Sequence, residues 1–194
     1  MKSFFTLLLF GAVLLLGTPS SQGAPMTFTA FLDGPSENLP NASPGTGFAV
    51  VTHDPVAHTL SIDVSFSGLL GSTTAAHIHC CTDPPANVGV ATQTPVFVGF
   101  PLGVTAGAYN NTFDTSLSST FNASFVTNNG GVAGAEAALG TGLLAGRAYF
   151  NIHTNLFPGG EIRGFLTQIP EPGTLGLLTM GMTGLGMLAR RPRR

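Results

Sequence analysis

Between residues 60 and 66 the chain alternates strictly: Leu60, Ile62, Val64 and Phe66 fall on one side of an extended backbone, and Ser61, Asp63 and Ser65 on the other. A period of two belongs to a half-buried antiparallel strand, because successive side chains of a pleated backbone point to opposite faces. Runs of similar character occupy residues 27–32, 47–52, 75–79, 96–100, 107–111, 146–153 and 161–168, separated by Gly, Pro, Asn and Ser clusters that favour turns. Many short strands with turn chemistry between them predict an all-β, Greek-key β-sandwich or barrel. One stretch departs from this pattern. Residues 132–144 carry Ala135, Ala137, Ala138, Leu139, Leu143 and Leu144 with few β-branched residues, which predicts one short helix. No internal repeat or linker divides the segment.

The two ends have a different pattern. Lys2 precedes an apolar run from Phe4 to Leu16, and Ser21-Gln22-Gly23 then supplies small residues at cleavage-type spacing. This predicts a secretory signal peptide over 1–23, cut before Ala24, since the run is shorter than the ~20 residues that span a bilayer. At the C-terminus Pro170-Glu171-Pro172-Gly173 breaks the chain. An uncharged stretch from Thr174 to Ala189 follows, closed by Arg190-Arg191-Pro192-Arg193-Arg194. Basic residues after an apolar helix stay on the cytoplasmic side, so the tail reads as a transient membrane helix. Pro170-Glu171-Pro172, apolar helix and Arg cluster together resemble the PEP-CTERM sorting signal of exported Gram-negative proteins. The resemblance implies exosortase as a partner, in addition to signal peptidase, and delivery to the periplasm, cell surface or extracellular matrix. The expected organisation is therefore a signal peptide (1–23), one β domain (24–169) and a sorting tail (170–194), with a targeting helix at each end.

Charge narrows the function. Charged residues make up 8% of the chain against 43% hydrophobic, with 26 glycines and 14 prolines. Within 24–169 only Arg147 and Arg163 stand against eight acids, a balance with little attraction for a phosphate backbone, so no nucleic-acid partner is expected. Nucleotide-binding glycine loops, the serine-hydrolase elbow and the helical zinc-protease motif are missing from the sequence.

The chemistry available is mainly imidazole. His77 and His79 are two apart in a strand-like run, which places both rings on one face with Ile78 on the other. His153 shares a face with Tyr149 and Asn151, opposite Phe150 and Ile152. If the two strands pair, three neutral imidazoles can hold a zinc or copper ion; if not, these are strand histidines satisfied by ordinary hydrogen bonds. His53 and His58 flank Asp54-Pro55 and are expected in an exposed loop. Glu161 and Arg163 share a strand face, which allows a structural ion pair between them or ion pairs to neighbouring strands. The structural pair is the reading carried forward over a general-base role for Glu161, which has no second carboxylate at a telling spacing. Cys80 and Cys81 are the only cysteines. A vicinal disulfide, intermolecular bridges, free thiols and soft metal ligation are the alternatives, and the vicinal disulfide is the one carried forward.

A second resemblance spans residues 26–168. Phe28-Thr29-Ala30-Phe31-Leu32-Asp33-Gly34 with Glu37, then Phe66-Ser67-Gly68-Leu69 leading to Ala75-Ala76-His77-Ile78-His79, and finally Ala148-Tyr149-Phe150-Asn151-Ile152-His153-Thr154 through Gly160-Glu161-Ile162-Arg163-Gly164 are similar to the CHRD domain. That resemblance implies an extracellular β module with no established catalytic activity. A looser similarity is to copper/zinc superoxide dismutase, whose His-x-His strand and later strand histidine contribute copper ligands. It would make His77, His79 and His153 a copper face, but the zinc loop has no counterpart here. The functional expectation is an exported, non-catalytic envelope or matrix protein, with matrix components as partners. The alternative is a copper- or zinc-binding β-sandwich with dismutase-like chemistry.

Overall fold

Hydrophobic alternation becomes a hydrogen-bonded ladder in the computed structural model, which describes residues 23–169. Eight strands form: β1 (Met26–Asp33), β2 (Thr46–Asp54), β3 (Thr59–Ser67), β4 (Thr73–Cys80), β5 (Gly107–Asp114), β6 (Ala148–Thr154), β7 (Ile162–Phe165) and β8 (Thr167–Gln168). They join in one sheet in the order β4-β6-β7-β1-β2-β3-β5, with β8 beside β1, and the pairings are antiparallel. The all-β expectation is met, and it takes the form of a single sheet curled into a half-barrel. The expected signal peptide and sorting tail, with their targeting helices, lie outside the described residues apart from Gly23. No helix among the described residues is long and apolar enough to cross a membrane.

Curling puts one face of each strand inside. Leu60, Ile62 and Val64 of β3 are fully buried, with Phe28 and Leu32 of β1, Val51 of β2, Ile78 of β4, and Phe150 and Ile152 of β6. Chain outside the strands bridges the sheet edges β4 and β5. Ala91 N donates to Ile78 O (2.9 Å) and Thr73 N to Val104 O (2.9 Å). Between them the buried Phe97 ring packs against Phe113 of β5 (5.3 Å between centroids) and Phe150 of β6 (6.0 Å). Residues 96–100, expected as a strand, form turns instead. Pro95 and Pro101 remove the donors a ladder needs at its ends, and Gly99 sits at φ +79°.

Among the described residues two α-helices form where one was expected. α2 (Val132–Leu144) has the predicted bounds, whereas α1 (Ala123–Asn128) was not anticipated. α1 is a short helix begun by Asn122, whose side chain accepts from Ser124 N at 2.9 Å. α2 lies across one end of the curled sheet. A side chain at Gly140 would strike His53 at the end of β2, and one at Gly142 would strike both sulfurs at the end of β4.

The outer face of β4, β6 and β7 is covered too. Strand β6 is buried at six of its seven positions, alternation notwithstanding. Its inward residues meet the apolar core, and its outward residues meet the loops around 34–41, 82–98 and 155–160. Sequence places polar side chains in that outer layer.

Candidate metal centre

Strand register assembles the layer. β4 pairs with β6 so that His79 faces Tyr149, His77 faces Asn151 and Ala75 faces His153. β6 then pairs with β7, setting Asn151 opposite Arg163 and Tyr149 opposite Phe165. Parity sends Ala76, Ile78, Phe150 and Ile152 inward and leaves His77, His79, Tyr149, Asn151, His153 and Arg163 on the outer side.

The three imidazoles converge. One nitrogen from each of His77, His79 and His153 lies within 4.8 Å of the others, the one such group of three or more ligating side chains among the described residues. Each ring spends its other nitrogen on a loop carbonyl: His77 Nε2–H donates to Pro95 O (2.7 Å), His79 Nδ1–H to Val88 O (2.8 Å) and His153 Nδ1–H to Pro158 O (3.0 Å). A carbonyl only accepts, so these bonds fix the tautomers and leave lone pairs on His77 Nδ1, His79 Nε2 and His153 Nε2. Those three nitrogens are buried and have no hydrogen-bond partner. Burial pushes His77 and His79 down to about 4 and also lowers His153, so the rings are neutral near pH 7.

Neighbouring groups hold the layer rigid. Tyr149 stacks on His79 (4.7 Å between centroids, 6° between planes), and its hydroxyl bonds to both the N–H and the carbonyl of Val88 (3.3 Å each). The fully buried Arg163 lies over the Tyr149 ring at 4.8 Å. Its guanidinium donates to Ser36 O (2.5 Å), Asn87 Oδ1 (2.6 Å) and Pro85 O (2.7 Å).

Arg163 does not pair with Glu161, and that expectation is corrected. Glu161 precedes β7 and turns to other partners: Ser43 Oγ (2.6 Å), Leu70 N (2.5 Å), Gly71 N (3.0 Å) and Thr154 Oγ1 (2.7 Å) donate to its carboxylate. The acid nearest Arg163 is Glu37, at 3.8 Å. Parity in sequence assigned a shared face, but Glu161 stands outside the ladder that would enforce it.

The other candidate residues fall elsewhere. Cys80 and Cys81 have adjacent sulfurs in a vicinal disulfide arrangement beside α2. His58 is exposed as expected, but His53 is buried in β2, near Glu136 of α2 (3.7 Å), which also accepts from His58 (2.8 Å) and Thr115. Beyond its place in the CHRD resemblance, nothing in the sequence pattern marks Glu37, or the carbonyls of Val88, Pro95 and Pro158, as part of the outer layer. The loops that carry them have no periodicity to betray their destination, although Pro and Gly density marks them as turns.

With this geometry in place, two protein-family models match the chain. The CHRD domain matches residues 28–166, and the PEP-CTERM protein-sorting motif matches residues 168–194. No curated protein and no solved structure matches.

Proposed function

The chain belongs to the CHRD domain family and ends in a PEP-CTERM sorting motif, the mark of an exported, exosortase-sorted protein, and from that premise we propose that it is a metal-binding protein of the bacterial envelope or matrix whose β domain holds one copper or zinc ion. Neither family is an enzyme family, and the role proposed is binding, without a catalytic activity. The sorting tail, with membrane contact during export and exosortase as processing partner, supports a place at the surface of a Gram-negative cell or in its extracellular matrix.

One observation carries the reading: three buried lone pairs face one another without a donor. Each orphaned acceptor destabilises the fold by about 1–3 kcal/mol, and three neutral imidazoles with carbonyl-bonded distal N–H groups form the donor set that late first-row ions prefer. An ion bound at about 2.0–2.1 Å holds its ligand nitrogens roughly 3.3–3.5 Å apart, so the rings need close by no more than about 1.5 Å. Support for the loops accounts for only one nitrogen of each ring, the one bonded to a carbonyl; the nitrogens that face one another have no such use.

The test is elemental analysis of the full chain purified from cells grown with both metals. About one equivalent of copper or zinc is expected in the wild type and none in His77→Ala/His79→Ala. A wild-type chain that stays metal-free and does not change its melting temperature on titration with either ion overturns the reading. Deletion of residues 170–194 should change where the protein is delivered in its own cell, and unchanged delivery would argue against sorting by the tail.

A further inference from the structure

Beside the imidazole cluster lies one more buried atom without a partner, on Asn151, and a second, on Glu37, lies close to it. Asn151 stands two residues before His153 on the same face of β6 and directly opposite His77. It is 2% exposed, and its Oδ1 accepts no hydrogen bond. Glu37, 5% exposed, leaves Oε1 equally unpaired. The two come together over Gly160: a Cβ there would lie 2.5 Å from Asn151 Oδ1 and 2.6 Å from Glu37 Oε1, so only glycine, at φ +131°, lets them close in. A cleft of about 320 Å³ lined by Glu37, Asn38, Asn87, Pro158 and Gly160 reaches this place from the surface. Pro158 is also the residue whose carbonyl holds His153.

A three-histidine centre supplies three ligands and leaves a fourth position open, as exchangeable rather than closed structural sites do. We propose that this fourth position faces Asn151 and Glu37 and is taken by a water molecule, which donates one hydrogen bond to Asn151 and passes its other proton to Glu37. The step balances as metal-bound water plus carboxylate giving metal-bound hydroxide plus carboxylic acid, with no electron transferred. The inference rests on the metal-binding reading above. Two acceptors without donors that meet at Gly160, one of them on the strand face that carries His153, are what a protic ligand satisfies, and each unsatisfied one would otherwise destabilise the fold. The groups around Glu37 are consistent with a proton acceptor. Arg163 of β7 approaches from one side at 3.8 Å, and Tyr149 of β6 is the other titratable neighbour. Burial nevertheless raises Glu37 to about 7 against the pull of Arg163.

The test uses the full chain loaded with cobalt(II), whose visible spectrum reports coordination, with azide as the probe that displaces the water. In the wild type, azide shifts the cobalt bands, and its affinity falls with rising pH as Glu37 ionises and hydroxide competes. Asn151→Ala should alter azide affinity about tenfold, the effect of losing one hydrogen bond. Glu37→Gln should move the pH profile by a unit or more. Asp63→Asn, an exposed charge on β3, should leave both unchanged. Cobalt that binds but ignores azide, or a Glu37→Gln profile superimposable on the wild type, overturns this inference and leaves metal binding standing. A chain that takes up no cobalt, copper or zinc overturns both.

Discussion

At the scale of single residues, the domain's buried charges are settled by what reaches them, and Glu161 is the clearest case. Burial alone would raise its carboxyl, but donors from Ser43, Thr154, Leu70 and Gly71 together outweigh that and hold it below the ordinary range. It ties the chain before β2 and the loop before β4 to the start of β7. Glu161→Gln keeps the shape but turns an amide N–H₂ toward donors, so about 3 kcal/mol of stability should be lost, a fall in melting temperature of roughly 6–12 °C for a domain of this size. The check is thermal unfolding followed by circular dichroism. A change under about 1 kcal/mol would mean that the four bonds do not act together. The sign with pH follows from the depressed value: this stabilisation is present above the ordinary carboxyl range and is lost as pH falls through the lowered one. Glu37 has the opposite arrangement, one guanidinium at 3.8 Å and an unpaired oxygen.

Elements show which parts of this fold a sequence can disclose. Strands β1 to β6 and the bounds of α2 were legible because period two and helix-forming composition act locally. Residues 96–100 misled because Val96, Phe97, Val98 and Phe100 are apolar for a tertiary reason: Phe97 fills the gap between two sheet edges, a role with no period. α1 escaped notice because six residues with Val126 and Thr127 carry little helical signal, and its Asn122 cap is its main local mark. The imidazole faces were readable from parity, but their pairing was not, since it needed the β4–β6 register across some 70 intervening residues. The end of β4 yields a prediction at this scale. A methyl group at Gly142 would meet both sulfurs of Cys80 and Cys81, so Gly142→Ala should destabilise the oxidised protein by about 1–2 kcal/mol, even though alanine is the better helix former by about 1 kcal/mol. Chemical denaturation measures this. Intact-mass analysis should also show no alkylatable thiol before reduction and two after; two thiols alkylated in the untreated monomer would reject the vicinal bridge.

For the molecule as a whole, the polar layer outside the sheet makes metal-free stability depend on pH, and the sign can be worked out group by group. His77 and His79 titrate near 6.5 when unfolded and near 4 when folded. Between those values the unfolded chain binds protons that the fold refuses, so the stabilisation they support is complete above about pH 6.5 and drains away as pH falls toward 4. His153 and His53, both lowered chiefly by burial, act in the same direction. Glu37 opposes them: raised from 4.5 to about 7, it favours the fold at low pH, and that contribution is lost as pH rises through 7. Two imidazoles displaced as far as one carboxyl leave a net loss on acidification of about 2 kcal/mol between pH 7 and 4.5. Urea unfolding of the metal-free full chain should therefore show a midpoint that drops over this interval. Glu37→Gln removes the opposing group and should steepen the drop, whereas His77→Gln should flatten it. A bound ion deepens the dependence further, because only the fold with three neutral rings holds it, so added zinc should raise the midpoint at pH 7 far more than at pH 4.5. A midpoint that stays level with pH, in both the wild type and Glu37→Gln, would mean that the rings are hydrated in the folded protein and that the layer is not the dry, convergent cluster its geometry describes.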